Sequence, residues 1–217
     1  MNWLDYIAEF RNIIDLLGTL AFAISGIRLA SQKQMDWFGA YIIGLVTAIG
    51  GGTVRDLLLG VTPFWMTQES YVIVTGVALF LTVVLQQKIF KLGQTLFLFD
   101  TIGLGLFTMV GVMKTEDLGF PIWVCIAMGT ITGSVGGVLR DVLINEVPLL
   151  FRKDIYALTS VAGGSVYFLG KYLQFSSFET SLVGAVVIIV LRLLVVKFRW
   201  QLPVLKINQY PKKNRLN

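Results

Sequence analysis

Two stretches of this sequence place an adjacent arginine and aspartate inside apolar segments, just after a run of glycines. The first reads Gly50-Gly51-Gly52-Thr53-Val54-Arg55-Asp56, and the second ends in Gly136-Gly137-Val138-Leu139-Arg140-Asp141. A charge at the centre of a membrane helix costs at least about 2.5–3.5 kcal/mol on insertion scales, so such charges typically serve a transport path or a buried ion pair. The pattern predicts an ion pathway, with an ion pair that only holds the helices together as the alternative.

The two stretches belong to an internal repeat with a constant offset of 85 residues. At this offset Asp15 aligns with Asp100, and the two Arg-Asp pairs align with each other, without a gap. Leucine and valine match by chance in any apolar chain, whereas aspartate, arginine, proline and paired glycines do not. The alignment therefore indicates a duplication.

Each repeat holds three predicted spans, and this odd number requires the second repeat to enter the membrane upside down. Inverted repeats are typical of transport proteins, which bind their substrates at the repeat interface. The predicted domains are residues 1–94 for the first repeat, 95–177 for the second, and 178–217 for a seventh helix with a basic cytoplasmic tail.

The repeat also supplies partners for the two arginines. Residues i and i+1 of a helix do not face each other, so we expect each arginine to need a carboxylate other than its neighbour. Asp15 and Asp100 hold matching positions on the first helix of each repeat. We predict that these carboxylates and the arginines meet across the repeat interface, beside a water-filled path.

The glycines predict an irregularity in the second and fifth helices. Each glycine in a helix interior costs about 1 kcal/mol relative to alanine, and a break would expose polar backbone, which is tolerated only beside a cavity or protein partners. We therefore predict broken second and fifth helices, with close helix packing as the alternative. The predicted pathway and gating residues are Gly50, Gly51, Gly52, Arg55, Asp56, Gly133, Gly136, Gly137, Arg140, Asp141, Asp15 and Asp100.

The composition indicates which elements position these residues. Of the 217 residues, 55% are hydrophobic and 14% charged, against about 45–50% and about 25% in soluble domains. This disfavours a soluble enzyme, a disordered chain and a nucleic-acid-binding protein, and predicts an all-α polytopic membrane protein. A spanning helix needs about 20 apolar residues. Seven segments are predicted to span: Ile13–Leu29, Trp37–Gly60, Ser70–Leu85, Thr95–Met113, Pro121–Ile144, Ile155–Tyr172 and Ser181–Val196.

The basic residues outside the spans predict the orientation. Three of the 18 lie in the spans, three on the side of the N-terminus (Arg11, Lys114 and Lys171) and twelve on the other side. Cytoplasmic loops carry the excess of lysine and arginine. The N-terminus is therefore predicted outside and the C-terminus in the cytoplasm of a multi-pass cell membrane protein.

The residue types also limit the chemistry. Histidine is absent, and the single cysteine, Cys125, lies in an apolar run, so the usual proton shuttle and thiolate metal sites are missing. We expect no catalytic residues, no metal site, no cofactor and no enzyme.

Two three-helix units, each with a Gly-Gly-x-x-Arg-Asp signature and a following proline, resemble the bacterial branch of the trimeric intracellular cation channel family. The resemblance runs from about Ile13 to Val196, and the block Gly50–Pro63 is its most specific part. It implies seven helices, a homotrimer, and an ion path through each subunit lined by second and fifth helices that kink at the glycines. The same bacterial group is also described as a glycine transporter family, so the transported species is left open.

Two functions follow as expectations. The first is a passive channel for monovalent cations, potassium above all, because freed carbonyls and the four aspartates would favour cations. The alternative is a small-solute carrier for a glycine-type substrate, whose carboxylate would suit helix N-termini and the two arginines. The expected partners are the cation, membrane lipid and copies of the same chain, and no nucleic acid.

Overall fold

The computed structural model describes residues 3–85, 95–152 and 155–203, and their side chains from residue 10 onward. This part of the chain folds into seven α-helices and two short 3₁₀ turns. The predicted all-helical fold with seven helices is therefore confirmed. The helices are α1 (Trp3–Gln32), α2 (Trp37–Leu58), α3 (Ser70–Val84), α4 (Thr95–Asp117), α5 (Ile122–Leu143), α6 (Ala157–Tyr172) and α7 (Ser177–Phe198).

Five of these helices are long and apolar enough to cross a membrane: α1, α2, α4, α5 and α7. The other two, α3 and α6, have 15 and 16 residues and occupy matching places as the third helix of each repeat. Residues 204–217, most of the predicted basic tail, lie outside the described residues.

The centre of the molecule is built from the first two helices of each repeat. α1 packs against α2 and α4, and α5 packs against α2 and α4. α3 covers α1 and α2, whereas α6 packs on α5 and α7, and α7 also packs on α4. One buried apolar cluster lies mostly in the first repeat and includes Phe22 and Ile27, and a second joins Leu104 and Met109 to Ile188 of α7. The seventh helix thus packs mainly on the second repeat, and its Phe178 ring also contacts Phe10 of α1, with centroids 4.4 Å apart.

The contact between α1 and α4 shows that the repeats run in opposite directions. A Cβ atom at Gly18 would meet the Phe107 ring at 2.8 Å, and Gly103 packs in the same way on the ring of Phe22. The earlier residue of one helix therefore meets the later residue of the other, as in any antiparallel pair. The two phenylalanine rings also contact each other edge to face, with centroids 5.2 Å apart. The predicted inverted repeat is confirmed.

The glycines do not interrupt their helices. α2 is α-helical from Trp37 to Leu58 and α5 from Ile122 to Leu143, straight through both glycine runs. The expectation of broken second and fifth helices is corrected accordingly, and with it the expected freed carbonyls and amides. The cost of about 1 kcal/mol for each glycine is offset by a close approach of two helix backbones, which larger residues would prevent.

Candidate functional site

The closest approach of the two repeats lies where α2 crosses α5. A Cβ atom at Gly51 would overlap the carbonyl oxygen of Thr132, and one at Gly136 would overlap the carbonyl oxygen of Thr47. The two contacts are copies of each other at the 85-residue offset, and both consist of backbone, which cannot move aside as a side chain can. Glycine is therefore required at both positions. Close packing, the alternative interpretation of these glycines, is the one observed here.

The remaining predicted glycines have other neighbours. A Cβ atom at Gly50 would meet the Leu139 side chain at 2.7 Å, one at Gly133 would meet the carbonyl oxygen of Leu104 at 2.9 Å, and one at Gly52 would overlap the Phe64 ring. At Gly137 the nearest atoms lie at an ordinary contact distance of 3.5 Å. These glycines pack α2 and α5 against side chains and against α4.

On one side of this crossing lies the first charged site, which we define as Asp15, Arg55, Asp56, Tyr71 and Lys114. Arg55 Nε donates to Asp56 Oδ1 at 2.8 Å, and Lys114 Nζ of α4 lies 2.8 Å from the same oxygen. Arg55 and Asp56 are buried, whereas one third of the Lys114 side chain is exposed. A lysine of the second repeat thus completes a charged site whose other residues belong to the first repeat.

The second charged site consists of Ser25, Asp100, Arg140, Asp141 and Tyr156. Arg140 Nε donates to Asp141 Oδ1 at 2.8 Å, and Arg140 Nη1 donates to Asp100 Oδ1 at 2.8 Å and to Ser25 Oγ at 2.6 Å. All five residues are buried. Two carboxylates and a serine hydroxyl thus surround one arginine in this site.

Each site also fixes the loop that follows its helix. Asp56 Oδ2 accepts from the backbone N–H of Phe64 at 2.9 Å, and Asp141 Oδ2 accepts from that of Leu149 at 3.1 Å. Each aspartate lies eight residues before the residue that donates to it, and each donor residue directly follows a proline. In each repeat, one aspartate therefore pairs with an arginine and also anchors a turn through a backbone N–H.

Two expectations about partners need correction. Each arginine does pair with its neighbouring aspartate, because its long side chain bends along the helix surface to reach the next carboxylate. Arg140 also meets Asp100, one of the two carboxylates named from the sequence, but within the second repeat rather than across the repeat interface as predicted. The contacts that join the repeats come instead from Ser25 and Lys114, and no ion pair joins Arg55 to Asp15 among the described residues.

Ser25 and Lys114 could have been found from the sequence, by comparing the polarity of aligned positions rather than their identity. At the 85-residue offset Ser25 aligns with Val110, and Lys114 aligns with Leu29. A polar residue in one repeat and an apolar one in the other marks a place where the sites differ. Comparing the repeats for mismatches in polarity would have found both.

The two sites also treat their tyrosines differently. Tyr71 donates its hydroxyl to Asp15 Oδ2 at 2.7 Å, and Asp15 is only partly buried. In the second site Tyr156 and Asp100 are also neighbours, but among the described residues neither Asp100 Oδ2 nor the Tyr156 hydroxyl makes a hydrogen bond of ordinary length and angle. A buried carboxylate oxygen without a partner is costly, which favours a bound water or cation beside it.

The chemistry available to the sites is therefore ionic rather than catalytic. They offer carboxylates, tyrosine hydroxyls and two arginines, and within the described ranges no group of histidine, cysteine, aspartate or glutamate is arranged to hold a metal ion. Such groups can attract, coordinate and release small ions.

Comparison with known proteins agrees with this picture. The family model described as glycine transporter matches residues 12–87 and, a second time, residues 97–172. The UPF0126 inner membrane protein YadS of Escherichia coli K12 is 37% identical over 199 residues, which cover 90% of this chain and 96% of YadS. The double match agrees with the two repeats, whereas the domain boundaries at residues 94 and 177 stay a prediction.

Solved structures show the same fold. A structure that describes conductance through TRIC cation channels is 36% identical, with a TM-score of 0.81, and the match covers 92% of this chain and 98% of that one. The TRIC channel orthologue from Rhodobacter sphaeroides is 31% identical, with a TM-score of 0.82, and the match covers 88% and 99%. These are membrane transport proteins and not enzymes, in line with the expectation from the sequence. The chain therefore belongs to the UPF0126 or glycine transporter family and is a multi-pass membrane protein with the fold of the prokaryotic TRIC cation channels.

Proposed function

We propose that this protein is a passive channel for monovalent cations, with potassium as its principal ion. The relatives of known structure are described as cation channels, at 31–36% identity over nearly the whole chain. In the proposed path ions move between the two repeats within each subunit. The path residues are the twelve predicted from the sequence, together with Ser25 and Lys114.

The observation that carries this proposal is the pair of buried carboxylates in the second charged site. One arginine faces two carboxylates, Asp100 and Asp141, and Asp100 Oδ2 has no partner among the described residues. A buried carboxylate oxygen without a hydrogen bond is costly, and a permeating cation that approaches Asp100 relieves this cost. The cation can leave because only one oxygen is free.

The arrangement of the sites supports a path with two charged stations. The first charged site lies at the end of the bundle where α2 and α4 finish, and the second lies where α1 and α5 finish, with the glycine crossing of α2 and α5 between them. Ions entering from either side would meet aspartates before they reach the crossing. Charged groups at both ends of a pore are a common source of cation selectivity.

A small-solute carrier is the second candidate, because the family model is described as glycine transporter and inverted repeats are common in carriers. Two observations weigh against a carboxylate substrate. Arg55 and Arg140 are already paired with their neighbouring aspartates, and the uninterrupted α2 and α5 offer no free amides at the glycines.

Recording from the purified protein in planar bilayers tests this function. We expect unitary potassium currents, reduced by Asp100→Asn because that change neutralises the carboxylate with the free oxygen. Asp117→Asn is the matched control, since Asp117 is exposed and pairs with Arg11 rather than with a residue of the charged sites. Absence of unitary currents together with saturable glycine uptake into proteoliposomes would establish the carrier instead.

We also propose that the protein lies in the inner membrane with its N-terminus outside and its C-terminus in the cytoplasm. The E. coli relative is described as an inner membrane protein, and the twelve basic residues on the C-terminal side support the orientation. An impermeant thiol reagent added to intact cells should label Leu118→Cys and spare Ser31→Cys. The reverse pattern would invert the topology.

A homotrimer is proposed because the R. sphaeroides relative is described as trimeric. Many large apolar side chains, including Trp37, Phe38 and Trp123, are exposed on the single chain, and they can be covered by lipid or by another subunit. Native mass spectrometry in detergent should give three times the chain mass. A monomer that still conducts potassium would refute the trimer and leave the path within each subunit intact.

A further inference from the structure

A pocket outside the two charged sites lies between α1, α2 and α3. It has a volume of about 280 Å³, and its described lining includes three apolar and three polar side chains: Ile27, Ala40, Leu79, Ser31, Asp36 and Thr82. Small-molecule pockets commonly combine apolar walls with a few polar groups that fix the orientation of the ligand. None of the described residues that line this pocket, which we call the α3 pocket, belongs to a charged site.

The second repeat fills the equivalent space with its own side chains. The family model matches both repeats at the 85-residue offset, up to residues 87 and 172, so the alignment extends through the third helix of each. Thr82 of the α3 pocket aligns with Tyr167, and Ser31 aligns with Glu116. Tyr167 is fully buried, and its hydroxyl donates to Glu116 Oε2 at 2.5 Å. A tyrosine ring and a carboxylate thus replace two of the hydroxyl side chains that line the α3 pocket.

The surroundings of the Tyr167 ring match the walls of the α3 pocket. Tyr167 packs in a buried apolar cluster that includes Val112 and Cys125. At the 85-residue offset these two residues align with Ile27 and Ala40, which both line the pocket. The open space in the first repeat therefore corresponds to the space that the tyrosine side chain occupies in the second.

Thr82 bonds within its own helix, whereas Tyr167 connects two helices. The hydrogen bond from Tyr167 to Glu116 joins α6 to α4. Thr82 Oγ1 donates instead to the carbonyl oxygen of Ala78, 2.7 Å away in α3. A molecule that filled the α3 pocket and bonded to Ser31 would connect α3 to α1 as the tyrosine side chain connects α6 to α4.

We propose that the α3 pocket binds a small neutral phenol, a molecule with the shape and the hydrogen-bonding group of a tyrosine side chain. The ring of the ligand packs between Ile27, Ala40 and Leu79, and its hydroxyl bonds to Ser31 or to the carboxylate of Asp36. This ligand site is separate from the proposed cation path, and its tests require no transport measurement.

The polar groups of the pocket favour a hydrogen-bond donor over a lipid chain or an anion. Asp36 Oδ1 accepts from the backbone N–H of Gly39 at 2.7 Å, and the phenol hydroxyl would donate to the second oxygen of the same carboxylate. The Ser31 hydroxyl can both donate and accept. An acyl chain would displace water from these groups without replacing its hydrogen bonds, which is costly, and the negative charge of Asp36 repels an anionic ligand.

An experimental structure of the protein with 4-bromophenol tests the position of the ligand. The bromine takes the place of the tyrosine Cβ atom and identifies the ring by its anomalous scattering. We expect the ring inside the α3 pocket, with the phenol oxygen about 2.7 Å from Ser31 Oγ or from a carboxylate oxygen of Asp36. A pocket that holds only water, a lipid chain or another part of the protein in the presence of the phenol would overturn the proposal.

Thermal unfolding with and without 4-bromophenol tests binding in solution. Phenols also enter detergent micelles, so the measured quantity is the difference between two proteins in the same solution. Thr82→Tyr fills the pocket with the side chain of the second repeat, and the unaltered protein should gain about 3 °C from the ligand relative to this variant. Thr67→Tyr, an exposed change between α2 and α3, is the matched control and should keep the gain. Equal shifts in all three proteins would mean partition into micelles or binding at crystal concentration only, and would overturn the proposal.

Ser31→Glu decides the question if Thr82→Tyr folds poorly. Ser31 is exposed, so this variant is expected to fold, and it supplies the carboxylate that Tyr167 meets in the second repeat. We expect 4-bromophenol to bind about fivefold more tightly, because a hydrogen bond to a charged acceptor is stronger than one to a neutral acceptor. Unchanged or weaker binding would contradict the equivalence of the two spaces and overturn the proposal.

Discussion

The two charged sites are copies of one scaffold that are closed by different residues. In each, an arginine donates to the next aspartate at 2.8 Å, and that aspartate anchors a backbone N–H eight residues on. In the first charged site, the partly exposed Lys114 adds a second cation, and Asp15 accepts a hydrogen bond from Tyr71. In the second charged site, the buried Ser25 accepts from Arg140, and Asp100 is bonded to the same arginine. The duplicated residues therefore build the sites, and the unduplicated ones set their charge and their access to water.

Removal of each arginine should have the largest and most unequal effects. Arg140→Met leaves Asp100 and Asp141 buried without their cation, and breaking a buried ion pair costs about 3–5 kcal/mol. Arg55→Met should cost less, because Lys114 still lies 2.8 Å from Asp56. Thermal unfolding of both variants in the same detergent measures the difference.

Two outcomes would change the comparison. Equal losses for the two arginine variants would mean that Lys114 does not compensate. An Arg140→Met protein that folds normally and conducts like the unaltered one would assign Arg140 neither a structural nor a transport role.

Substitutions of Gly51 and Gly136, the two glycines at the crossing of α2 and α5, should destabilise the protein equally. Gly51→Ala and Gly136→Ala each bring a methyl group onto a backbone carbonyl, and overpacking of this kind costs about 1–3 kcal/mol. Gly137→Ala is the matched control, because its methyl group would lie at an ordinary distance of 3.5 Å from its neighbours. Melting temperatures should fall for the first two and change little for the third, and a similar fall in all three would contradict the repeat-related contacts.

Lys114→Leu should make the entrance of the first charged site more favourable to cations. Leucine is the residue at the aligned position 29, so the change removes one of the differences between the sites. We expect potassium flux to rise about two- to threefold at low ionic strength, because a positive charge no longer repels the entering ion. The increase should vanish at about 1 M salt, where the Debye length is about 3 Å.

Lys171→Leu provides the control for this experiment. Lys171 has a similar exposure, 35% against 33%, and pairs with Glu116 rather than with Asp56. The same increase in flux from Lys171→Leu would show that general surface charge, rather than the first charged site, causes the effect.

The smallest effect on stability is expected at a surface ion pair, Lys33–Glu146, that has no counterpart at the aligned positions of the other repeat. Lys33 Nζ lies 2.6 Å from Glu146 Oε1, whereas their aligned partners, Leu118 and Val61, are apolar. The hydrogen bond from Lys33 and its charge lower the pKa of Glu146 below its ordinary value of 4.5. A lowered carboxylate pKa stabilises the fold above that ordinary value, and the contribution is lost as pH falls through the folded-state pKa.

Glu146→Gln removes the ionisation of Glu146, and with it the ion pairs to Lys33 and, at 4.0 Å, to Arg152. At neutral pH the unaltered protein should melt slightly above the variant, and the gap should close as pH falls from 4.5 through the lower pKa of Glu146 in the folded state. A gap that stays constant between neutral and acid pH would show that the bridge contributes nothing through its ionisation.

Much of the fold was predictable because it depends on features that a sequence displays directly. Apolar length gave the helices, and matches of aspartate, arginine and glycine at one offset gave the inverted repeat. Matching positions also named Asp100 as a partner for an arginine, although the contact was predicted across the repeat interface and lies within the second repeat. These inferences need only residue types and spacing, whereas the role of the twelve residues as an ion pathway stays a prediction.

The features that were not predictable depend on tertiary contacts. Helix propensity penalises Gly51 and Gly136 locally, and only the backbone of the opposing helix shows why they are nevertheless helical. Helix geometry separates Arg55 from Asp56, but a flexible arginine side chain bends back to its neighbour. Ser25 and Lys114 were missed because a search for repeats selects identical residues, and these two matter through their difference.

The crossing of α2 and α5 is isologous, the kind of contact that two identical subunits make around a two-fold axis. A surface of this kind is complementary to itself, so an unduplicated three-helix unit could have paired with an inverted copy of itself. In such a pair every substitution changes both halves at once. Once the halves are joined in one chain, each can vary alone, and a serine can serve one side while a lysine serves the other. Fusion thus converts a symmetric contact into one whose two faces can specialise.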